Sequence, residues 1–186
     1  MTPMLGILAS QISGHLASPS SYESIATVSG TGSSATISFT SIPSTYKHLQ
    51  IRAIGRDSSG SSSNGPALVY FNNDTGTTYD SHLLYGLGSS AGAAASNSRN
   101  GLYWIGEFVG TSNIMGAVII DVLEYANTNI NKTVRSLGGF DSNGGGRIDY
   151  TSGLWRSTSA INRIDITNGA ANWTSDSSFA LYGIKG

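Results

Sequence analysis

Three side chains bearing oxygen, Asn72, Asp74 and Asp80, stand around Gly76 in the segment Asn-Asn-Asp-Thr-Gly-Thr-Thr-Tyr-Asp at residues 72–80. Oxygen ligands at close spacing are what a hard cation such as calcium takes, but the segment lacks the regular Asp spacing and terminal Glu of a calcium loop. Asn, Asp and Gly at a strand exit are also the residues of a tight turn, and the turn is the simpler reading. The same side chains serve a second chemistry. A sugar ring stacks on an aromatic face framed by hydrogen-bonding groups. Trp104, Trp155 and Trp173, with nine tyrosines, supply candidate platforms. Trp173 is the best placed, in the polar loop Asn-Gly-Ala-Ala-Asn-Trp-Thr-Ser-Asp at 168–176, with Asn72, Asp74 and Asp80 as its hydrogen-bonding frame. Trp104 and Trp155 read more simply as core or subunit-contact residues.

Nucleophilic and acid–base chemistry find less. The histidines His15, His48 and His82 sit in no nucleophile-elbow or triad signature. Glycoside hydrolysis needs two carboxylates facing one bond, and the best acidic pair, Asp121 with Glu124, is three apart on a strand and so points to opposite faces. There is no cysteine, hence no disulfide, thiolate ligand or thiol nucleophile. The glycine run at 141–146 lacks the Lys-Ser/Thr of a phosphate loop. The expectation is a chain that is not an enzyme and carries no cofactor or metal.

Composition narrows the partners. Of 186 residues only 11% are charged, against roughly 25% in ordinary soluble domains, and the formal net charge is −1. Lys and Arg are scattered singly, so no basic footprint for nucleic acid exists. No apolar run reaches the roughly 18 residues of a membrane helix. The longest, 114–123, carries Asp121 and alternates like a strand. Neither nucleic acid nor membrane is an expected partner. The first ten residues lack a basic start and are broken by Gly6, so they are expected to be retained rather than cleaved as a signal.

The elements that must position these residues follow a period of two throughout. Strands are predicted at 22–28, 35–40, 46–55, 67–72, 82–86, 102–108, 114–123, 132–140, 147–155, 161–166 and 177–184. Within them Ile37 and Phe39, Leu49, Ile51 and Ala53, Val118, Ile120 and Val122, and Ile164 and Ile166 line single faces, as in half-buried strands of a sandwich. Phe179, Leu181 and Gly183 do the same near the C-terminus, in a strand that needs neighbours for its backbone. Gly-, Ser- and Asn-rich clusters at 30–33, 58–65, 89–100 and 141–146 are predicted loops. The second and third read as mobile, and the last as a hairpin turn. The predicted fold is all-β: an antiparallel, jelly-roll-like sandwich over 21–186, preceded by an extended arm at 1–20. Met4, Leu5, Ile7, Leu8, Ile12 and Leu16 are spaced by small residues in that arm. A segment too short for its own core buries such side chains against a partner, at roughly 1.5–3 kcal/mol each, so these six are the candidate partner-binding residues.

Four stretches carry a family resemblance: Ser-Tyr-Glu-Ser-Ile-Ala-Thr-Val-Ser-Gly at 21–30, Ala-Thr-Ile-Ser-Phe-Thr-Ser-Ile-Pro-Ser-Thr-Tyr-Lys-His-Leu-Gln-Ile-Arg at 35–52, Asp-Val-Leu-Glu-Tyr-Ala-Asn-Thr-Asn-Ile-Asn-Lys-Thr-Val-Arg at 121–135, and the ending Phe-Ala-Leu-Tyr-Gly-Ile-Lys-Gly. Together they resemble small β-sandwich structural proteins of tailed bacteriophages. The resemblance implies a virion component, a capsid decoration, head-fibre or tail protein, and supplies no catalytic residue. It implies attachment to the major capsid protein or another virion protein on the exterior of the particle, with the arm as the docking segment. A weakly charged, cysteine-free domain with an apolar arm suits that setting, where repeated weak contacts add by avidity. A closed homo-oligomer is expected, a trimer first. The alternative function is a receptor- or glycan-binding module of a tail or head fibre, using Trp173, Asn72, Asp74 and Asp80.

Overall fold

Apolar residues at every second position need a surface to cover, and here two sheets cover each other. The computed structural model describes residues 21–62, 65–169 and 171–186. The arm at 1–20, with its candidate residues Met4, Leu5, Ile7, Leu8, Ile12 and Leu16, lies outside the described residues. Within them the chain forms twelve strands and no helix.

The larger sheet runs, edge to edge, β1 (Tyr22–Ser29), β12 (Ser178–Ile184), β3 (His48–Gly55), β8 (Gly116–Leu123), β9 (Lys132–Asp141), β10 (Gly146–Trp155), β5 (Tyr79–Leu87) and β6 (Ser90–Arg99). The smaller runs β2 (Thr36–Phe39), β11 (Ile164–Asn168), β4 (Gly65–Phe71) and β7 (Leu102–Phe108). Every pairing is antiparallel. The predicted antiparallel sandwich is present, though its eight-to-four division exceeds the eight strands of a jelly roll.

The core lies where the smaller sheet sits on the larger. All the residues assigned above to single faces of the strands at 35–40, 46–55, 114–123 and 161–166 are buried, from Ile37 and Phe39 through Val118, Ile120 and Val122 to Ile166. β12 lies between β1 and β3, with Phe179, Leu181 and Gly183 inward, so its backbone is bonded on both sides. Gly183 is required there: a Cβ would stand 2.3 Å from the Tyr46 ring, whose hydroxyl donates to Glu23 at 2.9 Å.

Two predicted loops resolve differently. The hairpin at 141–146 joins β9 to β10 as expected, with Asn143 and Gly144 at φ 56° and 101°. The Ser/Ala-rich stretch predicted as a mobile loop at 89–100 is instead β6, paired with β5 from Leu87–Ser90 to Tyr79–Arg99. Its small side chains give no propensity signal, and its strand form comes from the pairing itself.

Candidate interaction surface

The inward residues of a strand fix which residues face out. On β8 Val118, Ile120 and Val122 enter the core, so Ala117 and Ile119 stand on the outer face of the larger sheet. By the same alternation β9 presents Arg135 and Leu137, β10 presents Ile148, Tyr150 and Ser152, β5 presents His82 and Leu84, and β6 presents Ala91, Ala93 and Ala95. The register aligns them in rows across the strands. One row reads Ala93, Leu84, Tyr150, Leu137, Ile119, Arg52. The next reads Ala91, Gly86, Ile148, Gly139, Ala117, Ile54.

Apart from Arg52 at one end, these rows are apolar and open to solvent. Leu84 and Ile148 are each 59% exposed, Leu137 51%, Tyr150 and Ile54 47%, and Ile119 44%. Five strands at ~4.8 Å spacing and two rows at ~7 Å give a footprint about 24 Å by 14 Å, or ~340 Å². A contiguous apolar patch of that size marks an interaction site more often than a chance exposure. A polar row bounds it: His82, Ser152, Arg135, Asp121, Gln50 and Tyr182. There Gln50 Nε2 donates to Asp121 at 2.8 Å, and the Arg52 guanidinium lies 5.4 Å and 5.3 Å from the Tyr22 and Tyr182 ring centres.

The inner side of the same strands holds the face rigid. Arg147 Nε donates to Asp149 at 2.8 Å and its Nη2 lies 3.4 Å from Glu107 of β7, while its guanidinium covers the Tyr85 ring at 4.7 Å. This buried cluster ties the two sheets. Burial pushes the Asp149 carboxyl above the usual aspartate range, and Arg147 opposes that shift without cancelling it. Lys132, wholly buried, donates from Nζ to the carbonyls of Asn127, Ile130 and Thr158 at 2.7, 2.8 and 3.1 Å, fastening the β8–β9 turn to the segment after β10. Burial lowers its pKa.

The residues assigned above to sugar or cation binding do not converge. Trp173 is 0% exposed, edge-on to Phe108 and Phe179 with ring centres 4.8 Å away in each case, and its indole N–H points at the Ile166 carbonyl. Its polar surroundings in sequence suggested an exposed platform, whereas the ring fills the core against Gly55 and cannot stack on a sugar. Asn72 accepts from the backbone of Asn162 and Arg163 and donates to the Ala160 carbonyl. Asp74 accepts from Trp155, Thr78 and Gly76. Asp80 pairs with Arg156 at 2.9 Å and accepts from the Ser98 N–H. Each of the three is thus engaged by separate partners within the chain, in keeping with a structural turn fastened to residues 155–163. Among the described residues no three His, Cys, Asp or Glu side chains gather as metal ligands.

The acidic pair also separates, Asp121 bonding Gln50 and Glu124 pairing with Lys47 at 2.6 Å. His48 Nδ1 accepts the Glu124 backbone N–H at 3.0 Å. Trp155 is a core residue, stacked at 6.2 Å on Tyr79, and Trp104 is half-buried in a β7 bulge at φ 59°. No protein-family model matches the chain, and no curated protein matches it.

The outer face was missed by reasoning from periodicity, which assigns two faces to a strand without saying which is covered. One signal was available: Gly-Ala-Val-Ile-Ile-Asp-Val-Leu of β8 is apolar on both faces except at Asp121, close to the pattern of strands covered twice.

Proposed function

We propose that this chain is a non-enzymatic structural protein of a bacteriophage particle, a capsid decoration or cement subunit that attaches to the exterior as an oligomer through the major capsid protein or another virion protein. The observation that supports it best is the exposed apolar face of the larger sheet, a surface backed by the buried core. The resemblance of 21–186 to phage sandwich proteins points the same way. In this reading the arm grips the particle through Met4, Leu5, Ile7, Leu8, Ile12 and Leu16, and the sheet face carries the protein–protein contacts of the assembled layer. The burial of Trp173 removes the platform on which a glycan-binding function rested.

Removing residues 1–18 tests this. The truncated chain keeps β1 onward, so it is expected to melt as the full chain does and to fail to sediment with particles stripped of the protein. Occupancy equal to that of the full chain would overturn the assignment of the arm.

A further inference from the structure

We infer that the outer face of the larger sheet is covered by a second copy of this chain, paired about a two-fold axis that lies in the plane between the two sheets and crosses the strands between the Leu137 and Gly139 rows. This rests on the reading of the face as an interaction surface and names its occupant. An axis so placed brings each residue opposite the partner's residue two positions along the same strand, because outward residues recur every second position. Leu84 then meets the partner's Gly86, Leu137 the partner's Gly139, Ile119 the partner's Ala117, and Tyr150 the partner's Ile148. On three of these four strands a large side chain faces a small one. A ridge and a trough, the trough interrupted by Ile148 and Ile54, stand side by side on one surface, as a self-complementary, isologous contact needs.

The charges fit the same axis. Moving outward by one row on β9, Arg135 comes opposite the partner's Asp141, and Asp141 opposite the partner's Arg135. Both are exposed, and among the described residues neither forms an ion pair within the chain. The area is adequate. Eight strands at ~4.8 Å and about four outward positions of ~7 Å along each give a face of ~1,000 Å², against the ~800 Å² per partner of a standard stable interface. The net charge of −1 per chain sets little repulsion against pairing.

The full chain in solution, without particles, is the sample, and its mass by light scattering is the measurement. A mass of twice 19.3 kDa is expected. Ala117→Trp adds apolar area to the trough, so it would strengthen an unstructured hydrophobic association and is expected instead to give one chain. Arg135→Asp is expected to weaken pairing about tenfold by like-charge contact, and the double variant Arg135→Asp with Asp141→Arg to restore it. Thermal melting checks that each variant is folded. A wild-type mass of one or three chains, a paired Ala117→Trp, or no rescue in the double variant would overturn the pairing. A single-chain protein that still occupies particles would overturn the pairing alone, while a paired protein that never occupies them would overturn only the docking function.

Discussion

Gly183 shows how closely single residues are specified. Its missing Cβ is the space in which the Tyr46 ring lies, and that ring carries a hydroxyl bond to Glu23, itself tied to Lys185. Gly183→Ala is therefore expected to displace Tyr46 and to cost about 1–3 kcal/mol, as overpacking of a well-filled core does. Urea denaturation measures it, and an unchanged midpoint would contradict the packing described. Trp173 is the opposite lesson about what a sequence reveals at this scale. Asn, Thr, Ser and Asp around it suggested an exposed loop, yet Gly55 on β3 leaves room for its ring between Phe108 and Phe179. Contacts such as those of Trp173 with Gly55 and Phe108, distant in sequence, leave no local mark, so burial of a single aromatic is not legible from its neighbours. The turn at 72–80 was legible where its bonds are local, since Asp74 accepts from the Gly76 N–H and the Thr78 hydroxyl, whereas the bonds of Asn72 to residues 160–163 were not.

At the scale of elements, period-2 patterning located eleven of the twelve strands, and the face of β8 carrying Val118, Ile120 and Val122 was read with its inward direction intact. β6 escaped because Ser, Ala and Gly carry no packing signal, and its strand form depends on the hairpin with β5. The link between sheets escaped for a related reason, since Glu107 of β7 reaches Arg147, which already sits beside Asp149 on β10, only after the sheets have stacked. Arg147→Met tests that link. Removing the cation takes the charge partner from buried Asp149, which is expected to cost about 3–5 kcal/mol at pH 7. The sign of its pH dependence follows from the buried acids. Burial already holds the Asp149 pKa above its unfolded value and loss of Arg147 raises it further, so the folded state takes up a proton as the pH falls and the deficit shrinks toward pH 4. A deficit independent of pH, measured by denaturation across that range, would show that Arg147 acts through packing alone.

As a whole molecule, the chain divides its labour between two surfaces with different chemistry. The inner faces of the sheets bury the aliphatic and aromatic core that makes the domain stable, and the outer face of the larger sheet leaves Leu84, Ile119, Leu137, Ile148 and Tyr150 in solvent. Exposing so many branched and aromatic side chains in register favours aggregation in a solitary protein, and it becomes useful only when a partner covers them. An assembly protein present in many copies meets that condition. The fold class was readable from the alternating pattern, while the open face was not, since sequence alone does not say how many sheets will stack. The most direct test of the proposed function is a density map of intact particles of the phage proposed to carry this chain. The account predicts sandwich-shaped density on the exterior, with residues 1–20 entering a neighbouring virion protein and the larger sheet turned toward another copy. Particles that carry no such density, or that carry it with the larger sheet facing open solvent, would contradict the account.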